Sequence, residues 1–283
     1  MQIGVVFPQT EIGADPLAIR DYTQAVQGLG YRHIMIYEHV VSPGPTHSQD
    51  VAYSQQPFHE PFVLFGYVAA LTHLELVTGI LILPQRQTAL VAKQAAEVDI
   101  LTNGKLRLGV GVGWNEVEYE ALGTHFHMRG RAIEEQIEVL RLLWSQEAVT
   151  YHGAFHTITD AGLNPMPVQR PIPIWMGGES DIVLRRTARL ANGWIPDGGP
   201  DEEAKERLER LHRYAQEAGR DPASIGIEGR VYARDGALDG WVKRTEEWRT
   251  LGATHMSIST MDAGYTVSEH IDALRRYSES LMP

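Results

Sequence analysis

Short apolar runs alternate with longer amphipathic runs along the whole chain, and this alternation restricts the folds that the chain can adopt. The longer runs repeat apolar residues at the spacing of a helix face, as Ile133, Ile137 and Leu140 do. Alternating strands and helices predict a parallel sheet, because two parallel strands need a crossover between them. The predicted strands are Ile3–Phe7, His33–Tyr37, Leu74–Leu83, Leu106–Val112, Pro171–Met176, Gly193–Ile195, Ser224–Val231 and Thr254–Ser259.

The number of these units favours one closed barrel. Eight strand–helix units in 283 residues fit a (β/α)8 TIM barrel, which takes about 250 residues. An open doubly wound sheet also fits the alternation, but fits the count less well. No linker divides the chain, so residues 1–283 are predicted to form a single domain. The predicted helices are Pro16–Leu29, Pro61–Leu71, Thr88–Leu101, Gly130–Trp144, Asp181–Leu190, Asp201–Ala218, Leu238–Leu251 and Val267–Leu281.

Two segments interrupt the regular alternation. Val41–His59 is a polar loop insertion after the second strand, and Ala148–Pro171 is an insertion before the fifth strand. Within the second insertion, Val149–Ile158 is predicted to form a hairpin that turns at His152–Gly153.

Composition excludes several classes of function. The chain has 36 acidic and 25 basic residues, a net charge of −11, which does not suit binding to nucleic acid or to an anionic membrane. It contains no cysteine, which excludes disulfides, thiolate metal sites and cysteine nucleophiles. The motifs of serine hydrolases, zinc proteases and P-loop NTPases are absent. We therefore expect a cytoplasmic protein that acts on a small molecule and holds no metal.

In a barrel of this kind, function resides where the strands end and the following loops begin. These positions are Gln9–Glu11, Glu38–His39, Leu83–Arg86, Gly111–Asn115, Met176–Ser180, Asp197–Gly199, Arg230 and Ser257–Thr260.

The glycines of the fourth and fifth strand ends have more than one explanation. Gly109–Gly113 lacks the last glycine of the dinucleotide fingerprint, where Trp114 stands, and lies in the wrong unit for it. These glycines either let a flat group approach the strand end or relieve crowding inside the barrel. Gly177–Gly178, followed by Ser180 at a helix start, fits an anion site, although Ser180 can equally be a helix N-cap.

His39 is the candidate catalytic residue. An imidazole at a barrel mouth can exchange protons near neutral pH, although a solvated loop histidine is the alternative. Glu38, its neighbour, is expected to point to the opposite side of the strand unless the chain twists there.

Several segments together give the chain a family likeness. It resembles the luciferase-like flavin and deazaflavin oxidoreductases, and within them the actinobacterial branch that depends on coenzyme F-420. The resemblance is carried by AALTHLELVTGILILPQR (Ala69–Arg86), AKQAAEVDILTNGKLRLGVGVGWNEVEYEALG (Ala92–Gly123), RGRAIEEQIEVLRLLW (Arg129–Trp144), PIPIWMGGES (Pro171–Ser180) and ANGWIP (Ala191–Pro196).

The resemblance implies a bacterial-luciferase-like barrel whose cofactor ring lies across the strand ends. It implies a bulge in the third strand with a cis peptide bond between Gly79 and Ile80. One departure is Val112, which stands where some deazaflavin dehydrogenases have a catalytic glutamate. The residues implied to contact the cofactor are Glu38, His39, Gly79, Ile80, Gly111, Val112, Gly113, Asn115, Gly177, Gly178 and Ser180.

The resemblance implies an oxidoreductase that transfers a hydride between F-420 and a small organic substrate. One alternative is an FMN-dependent monooxygenase that receives reduced flavin from a separate reductase. The other is a non-catalytic protein that binds a flavin or deazaflavin. Relatives of this kind are commonly homodimers.

Overall fold

The computed structural model describes residues 1–44 and 56–281. In these two ranges the strands are β1 (Gln2–Val6), β2 (His33–Ile36), β3 (Glu75–Thr78), β4 (Leu81–Ile82), β5 (Leu106–Gly111), β6 (Val149–His152), β7 (Thr157–Ala161), β8 (Ile174–Gly177), β9 (Gly193–Ile195), β10 (Gly226–Tyr232) and β11 (His255–Ser259).

In the described part of the chain, nine of these strands form the predicted (β/α)8 barrel. The number of strand positions is eight, because β3 and β4 are two halves of the third barrel strand. The order around the barrel is β1, β2, β3 with β4, β5, β8, β9, β10 and β11, and β11 pairs with β1 to close it. Every pairing in the barrel is parallel. The closed ring confirms the barrel and rejects the open sheet.

Helices follow the strands and cover the outside of the barrel. The side chain of Asp15 accepts a hydrogen bond from the backbone of Leu17, and Pro16 occupies the first turn, so α2 begins where its sequence predicts. Two short helices at strand ends, α1 and α5, were not predicted. The helices of the described ranges are α1 (Gln9–Ile12), α2 (Pro16–Gly28), α3 (Pro61–Ala69), α4 (Thr88–Leu101), α5 (Glu116–Ala121), α6 (Arg129–Ser145), α7 (Asp181–Leu190), α8 (Glu202–Glu217), α9 (Leu238–Thr250) and α10 (Val267–Leu281).

The third predicted strand is broken by a bulge. Val77 pairs with Arg107 and Leu81 pairs with Val110, so four steps along one strand match three along the other. One extra residue therefore lies between β3 and β4, as expected of a β-bulge.

The predicted cis peptide bond at this bulge is wrong. In the described residues the cis bonds are Asn164–Pro165 and Arg170–Pro171, and Gly79–Ile80 is trans. The bulge forms without it: the backbone N–H of Gly79 donates to the carbonyl of Ile36 over 2.8 Å, and Thr78 Oγ1 donates to the carbonyl of Gly109 over 2.7 Å. A non-prolyl cis bond costs about 3–4 kcal/mol, which this geometry avoids.

The insertion before β8 contains a hairpin as predicted, but its turn spans residues 153–156 rather than His152–Gly153, because His152 still pairs with Thr157. β6 and β7 pair antiparallel as a separate two-stranded sheet, and the carboxylate of Glu135 accepts hydrogen bonds from three backbone N–H groups of its turn, including those of Ala154 and Phe155. The insertion Val41–His59 lies largely outside the described residues, so its predicted loop is described only at its two ends.

The barrel interior separates into an apolar layer and two charged clusters. Val6, Met35, Val77, Trp175 and Ile195 pack together inside the ring of strands. The charged cluster towards the strand starts is built on Arg107 and Glu228, and the cluster at the strand ends is built on Arg86 and Glu38. No described helix is long and apolar enough to cross a membrane.

Candidate active site

A cavity of about 530 Å³ opens at the C-terminal ends of the barrel strands. It brings together residues from the ends of β2, β4, β5, β8 and β10, which are far apart in the sequence. Among its walls are all but one of the residues predicted to contact a cofactor, namely Glu38, His39, Gly79, Ile80, Gly111, Val112, Gly113, Gly177, Gly178 and Ser180.

Asn115 is the predicted residue that does not line this cavity. Its side-chain oxygen accepts a hydrogen bond from the backbone of Val117 over 3.1 Å and so caps α5. Asn115 therefore stabilises the loop between β5 and α5 without lining the cavity.

A larger hollow of about 740 Å³ lies outside the barrel, between α6, α7 and the hairpin. Several of its charged residues are already paired, as Glu134 is with Arg189 and Glu135 with His156. Because it contains none of the predicted site residues, the barrel mouth is the stronger candidate.

His39 is held by a carboxylate that sequence reasoning missed. Its Nδ1 lies 3.2 Å from Oε1 of Glu118, which also accepts a hydrogen bond from the backbone N–H of Val40. The ring of Phe58 meets His39 edge to face, with centroids 4.8 Å apart. Burial lowers the pKa of His39 to about 4, so the imidazole is neutral at pH 7. A neutral ring that donates from Nδ1 to Glu118 has its acceptor lone pair on Nε2.

Glu118 lies in the first turn of α5, a helix that the sequence analysis did not predict. Its second carboxylate oxygen accepts a hydrogen bond from Gln85 over 3.3 Å, and burial raises its pKa. The signal for this helix was present as Asn115 followed by Glu116, a cap followed by acidic first-turn residues. The position of Glu118 beside His39 could not be predicted, because the two residues are 79 positions apart and meet only in the folded barrel.

Glu38 faces the cavity side, held by an arginine. Arg86 donates to both carboxylate oxygens of Glu38, over 2.9 and 3.3 Å, and also to Glu60 over 2.9 Å. Burial, together with the nearby carboxylates of Glu60 and Glu118, raises the pKa of Glu38 to about 7 despite Arg86. The site therefore contains one neutral base and one acid that titrates near physiological pH.

The glycines of the strand ends make room for two isoleucine side chains, Ile80 and Ile82. A Cβ on Gly111 would lie 2.8 Å from Ile80, and a Cβ on Gly177 would lie 2.5 Å from it. A Cβ on Gly113, which has φ +62°, would approach Ile82 at 2.9 Å. Relief of crowding is therefore the direct role of these glycines, and the result is an apolar shelf on which Ile80 and Ile82 face the cavity.

The turn after β8 leads into the start of α7. Gly178 has φ +110°, a region that L-residues rarely adopt, and its carbonyl accepts a hydrogen bond from Trp194 over 2.8 Å. The side chain of Ser180 makes no hydrogen bond that caps α7. Glu179 does not compete for this helix start, because its carboxylate binds Arg207 and the backbone N–H of Gly198. The start of α7 remains suited to a negatively charged group.

Tyr37 lines the cavity and was not selected by the sequence analysis, and Arg230 was noted only as a strand end. Nη1 of Arg230 donates to the hydroxyl of Tyr37 over 2.9 Å. The side chain of Arg230 is 5% exposed and is paired with Asp197 over 3.2 Å. No local pattern marks either residue as functional.

A protein-family model described as luciferase-like monooxygenase matches residues 1–278. The chain belongs to this family. It is therefore an enzyme of the luciferase-like class, whose known members include oxidoreductases and monooxygenases.

Two curated relatives show how far sequence similarity extends within the luciferase-like family. A protein of Mycobacterium tuberculosis with no assigned activity is 40% identical over 194 residues, 68% of this chain and 65% of its own. An FMNH(2)-dependent dimethylsulfone monooxygenase of Pseudomonas fluorescens is 34% identical over 183 residues, 63% of this chain and 50% of its own. The chain thus matches about two thirds or less of the length of these relatives.

Solved structures with the same fold include a monooxygenase and an F-420-dependent dehydrogenase. The monooxygenase RslO1 from Streptomyces bottropensis superimposes with a TM-score of 0.82 at 20% identity, over 100% of this chain and 99% of its own. An F-420-dependent secondary alcohol dehydrogenase, solved with an F-420–acetone adduct, gives 0.80 at 16% identity, over 100% and 99%. At these identities the likeness shows the luciferase-like barrel alone.

In the described part of this luciferase-like enzyme, no group of three or more histidine, aspartate or glutamate side chains is arranged to hold a metal ion.

Proposed function

We propose that this enzyme transfers a hydride between bound coenzyme F-420 and a small organic substrate. The observation that carries the proposal is one cavity that combines the apolar shelf of Ile80 with the buried, neutral imidazole of His39. An apolar shelf suits a flat ring, and a neutral imidazole suits the proton that accompanies a hydride.

The residues present fit a deazaflavin. Ile80, Ile82 and Val112 offer apolar surface to its ring, and the cavity of about 530 Å³ lies within the usual range of about 300–1,000 Å³ for such sites. Ser180 and the start of α7 suit the negatively charged chain of the cofactor. When bound, the deazaflavin supplies the carbon that accepts or gives the hydride.

The protein's own groups then handle the proton and the water. His39 takes the proton of a substrate hydroxyl through Nε2 as the hydride leaves the carbon, and returns it in the reverse direction. Glu118 keeps the imidazole oriented by accepting the Nδ1 proton. The ring of Phe58 meets that of His39 edge to face and helps exclude water.

The FMN-dependent monooxygenase is the second candidate, because the dimethylsulfone monooxygenase of Pseudomonas fluorescens shares 34% identity with this chain. That alternative requires reduced flavin and therefore a flavin reductase as a partner. The F-420 proposal is supported by the resemblance of the strand-end segments to the F-420 branch.

Titration of the cofactor-free protein with F-420 and with FMN tests the choice, with tryptophan fluorescence as the signal. Trp114 lines the cavity and should report on binding. We expect F-420 to bind at least tenfold more tightly, a difference of about 1.4 kcal/mol. Trp114→Phe should lose most of the signal, whereas Trp241→Phe, a buried tryptophan of α9, should keep it.

Three other results of the titration would reject the proposal. Equal or reversed affinities would favour the monooxygenase. Binding of neither compound would contradict both functions. Tight binding of F-420 without its oxidation or reduction by a panel of alcohols and ketones would favour a non-catalytic binding protein.

A further inference from the structure

The cavity contains a tyrosine hydroxyl whose hydrogen-bond direction is imposed by its neighbour. Arg230, in β10, reaches across the barrel mouth to Tyr37, the residue after β2, with Nη1 2.9 Å from the hydroxyl oxygen. Nη2 of the same guanidinium donates to the carbonyl of Pro196 over 2.5 Å and to Asp197 over 3.2 Å. Both side chains line the cavity.

A guanidinium group can only donate hydrogen bonds, so the oxygen of Tyr37 is the acceptor in this pair. The phenolic hydrogen must then point away from Arg230. In residues 1–44 and 56–281, the hydroxyl of Tyr37 makes no second hydrogen bond. The Tyr37 hydroxyl is therefore a hydrogen-bond donor without an acceptor, beside the cavity and next to the positive charge of Arg230. It is placed to donate a hydrogen bond to an oxygen atom of a bound molecule.

Packing holds the ring of Tyr37 in this place. A Cβ on Gly79 would approach Cδ1 of Tyr37 at 3.1 Å, so the bulge of the third strand lies against the ring. The backbone carbonyl of Tyr37 accepts a hydrogen bond from Gln9 over 2.9 Å. Burial raises the pKa of Tyr37 to about 12, so the phenol keeps its hydrogen at every physiological pH.

We propose that the Tyr37 hydroxyl, oriented by Arg230, is the hydrogen-bond donor that binds the oxygen of the substrate's reacting group. The substrate class is then a small carbonyl compound or the corresponding alcohol. This proposal rests on the proposed function for the identity of the reacting group. Tyr37 binds the oxygen, and Arg230 is a positioning residue that acts through Tyr37.

Such a donor stabilises charge on the oxygen in either direction of the reaction. Negative charge grows on a carbonyl oxygen as a hydride adds to its carbon, and is present on the oxygen of an alcohol that has lost its proton to His39. A donor that is fixed before the substrate arrives needs no reorganisation. Because Arg230 itself is directed at Tyr37, Pro196 and Asp197, the phenol is the contact that we assign to the substrate.

Carbon-13 NMR of the cofactor-free protein tests the proposal, with label on the Cζ atoms of its 11 tyrosines. Tyr37→Phe removes only the hydroxyl and identifies the Tyr37 resonance by its loss. Acetate, a small oxygen acceptor, is the probe, and isopropylammonium, which offers only donors, is its control. We expect a saturable shift of the Tyr37 resonance with acetate and none with isopropylammonium.

Variants separate the roles of the two residues. We expect acetate to bind at least tenfold more weakly to Tyr37→Phe, measured by saturation-transfer NMR on its methyl group. Arg230→Lys should keep part of that affinity and Arg230→Met should lose it. Tyr31→Phe is the matched control, because its hydroxyl donates to the carbonyl of Leu274, away from the cavity.

Two results would overturn the proposal. One is a Tyr37 resonance that does not shift over the full acetate titration up to saturation. The other is an equal affinity for acetate in Tyr37→Phe and in the wild type. The experiment needs no cofactor and is independent of the proposed function. A Tyr37-dependent acetate site in a protein that binds no F-420 would reject the proposed function alone, and F-420 binding without a Tyr37 response would reject this subsite alone.

Discussion

The two ends of the barrel each bury a glutamate against an arginine, and the two pairs behave oppositely. At the strand starts, Glu228 is fully buried and binds Arg107 over 2.5 Å. At the strand ends, Glu38 is 2% exposed and binds Arg86 over 2.9 Å. The pKa of Glu228 is held well below its usual range, whereas the pKa of Glu38 is raised to about 7.

The charges around each pair explain the difference. Burial raises the pKa of both carboxyl groups, but Glu228 also accepts hydrogen bonds from His33 and Ser257 over 3.0 and 2.7 Å. Glu38 shares its arginine with Glu60 and lies near Glu118. One end is locked in the ionised form and the other retains a proton that can be exchanged. The same residue pair is therefore structural at one end and suited to chemistry at the other.

The largest effect that we expect is on turnover and belongs to the strand-end cluster. His39→Ala should lower turnover by about 10²–10⁴-fold, the range of general acid–base catalysis, and leave cofactor affinity nearly unchanged. The measurement is a stopped-flow record of cofactor oxidation or reduction. His73→Ala, an exposed histidine near the strand starts, is the control and should match the wild type. Unchanged turnover per folded molecule in His39→Ala would make His39 a packing residue.

Removal of the two arginines should affect stability unequally. Arg107→Met leaves a buried, ionised Glu228 and should lower the free energy of unfolding by about 3–5 kcal/mol. Arg86→Met should cost about 1–3 kcal/mol, because Glu38 can take up a proton and become neutral. Urea denaturation at pH 7 measures both, with Lys243→Met, from an exposed pair with Glu247, as the control for a lost surface charge. Equal losses in the two arginine variants would contradict the contrast between the clusters.

A further expected effect is a dependence of stability on pH. Because the pKa of Glu38 is higher in the folded protein than the ordinary value of 4.5, the folded state binds more protons between about pH 4.5 and 7. The contribution of Glu38 to stability is thus present below that window and is lost as the pH rises through 7, by up to roughly 3 kcal/mol. Glu228 has the opposite sign, and its contribution is lost as the pH falls below its ordinary value.

Denaturation midpoints measured from pH 4.5 to 8 separate these contributions. His39, whose pKa falls from the ordinary 6.5 to about 4 on folding, contributes the opposite slope, a gain of stability as the pH rises from about 4 to 6.5. The contribution of Glu38 is therefore measured as the difference between the wild type and Glu38→Gln, and this difference should decline between pH 5 and 7. A Glu38→Gln profile that overlays the wild type would show that Glu38 does not titrate in this window.

Much of the fold could be predicted from local patterns. Helices α4, α7 and α10 begin and end at the predicted residues, because caps, prolines and apolar periodicity are local signals. The break of the third strand into β3 and β4 could not be predicted, because it depends on the pairing register with the neighbouring strand β5.

The candidate site was predicted in part. Glu38, His39 and the glycines were found because strand ends converge in a barrel, whatever the side chains are. Glu118, Tyr37 and Arg230 were missed as functional candidates, since each acquires its role from a partner 79 or 193 positions away in the chain.

The sequence by itself determined the alternation of strands and helices, and with it the barrel and the end of the barrel where chemistry takes place. These follow from periodicity, which operates within a few residues. Only the tertiary structure decided that Gly79–Ile80 is trans, that the glycines support Ile80, and that Glu38 rather than Glu228 exchanges a proton near pH 7. Protonation depends on the burial and the charges that surround a group, and in this chain those charges come from strands and helices that meet only when the barrel closes.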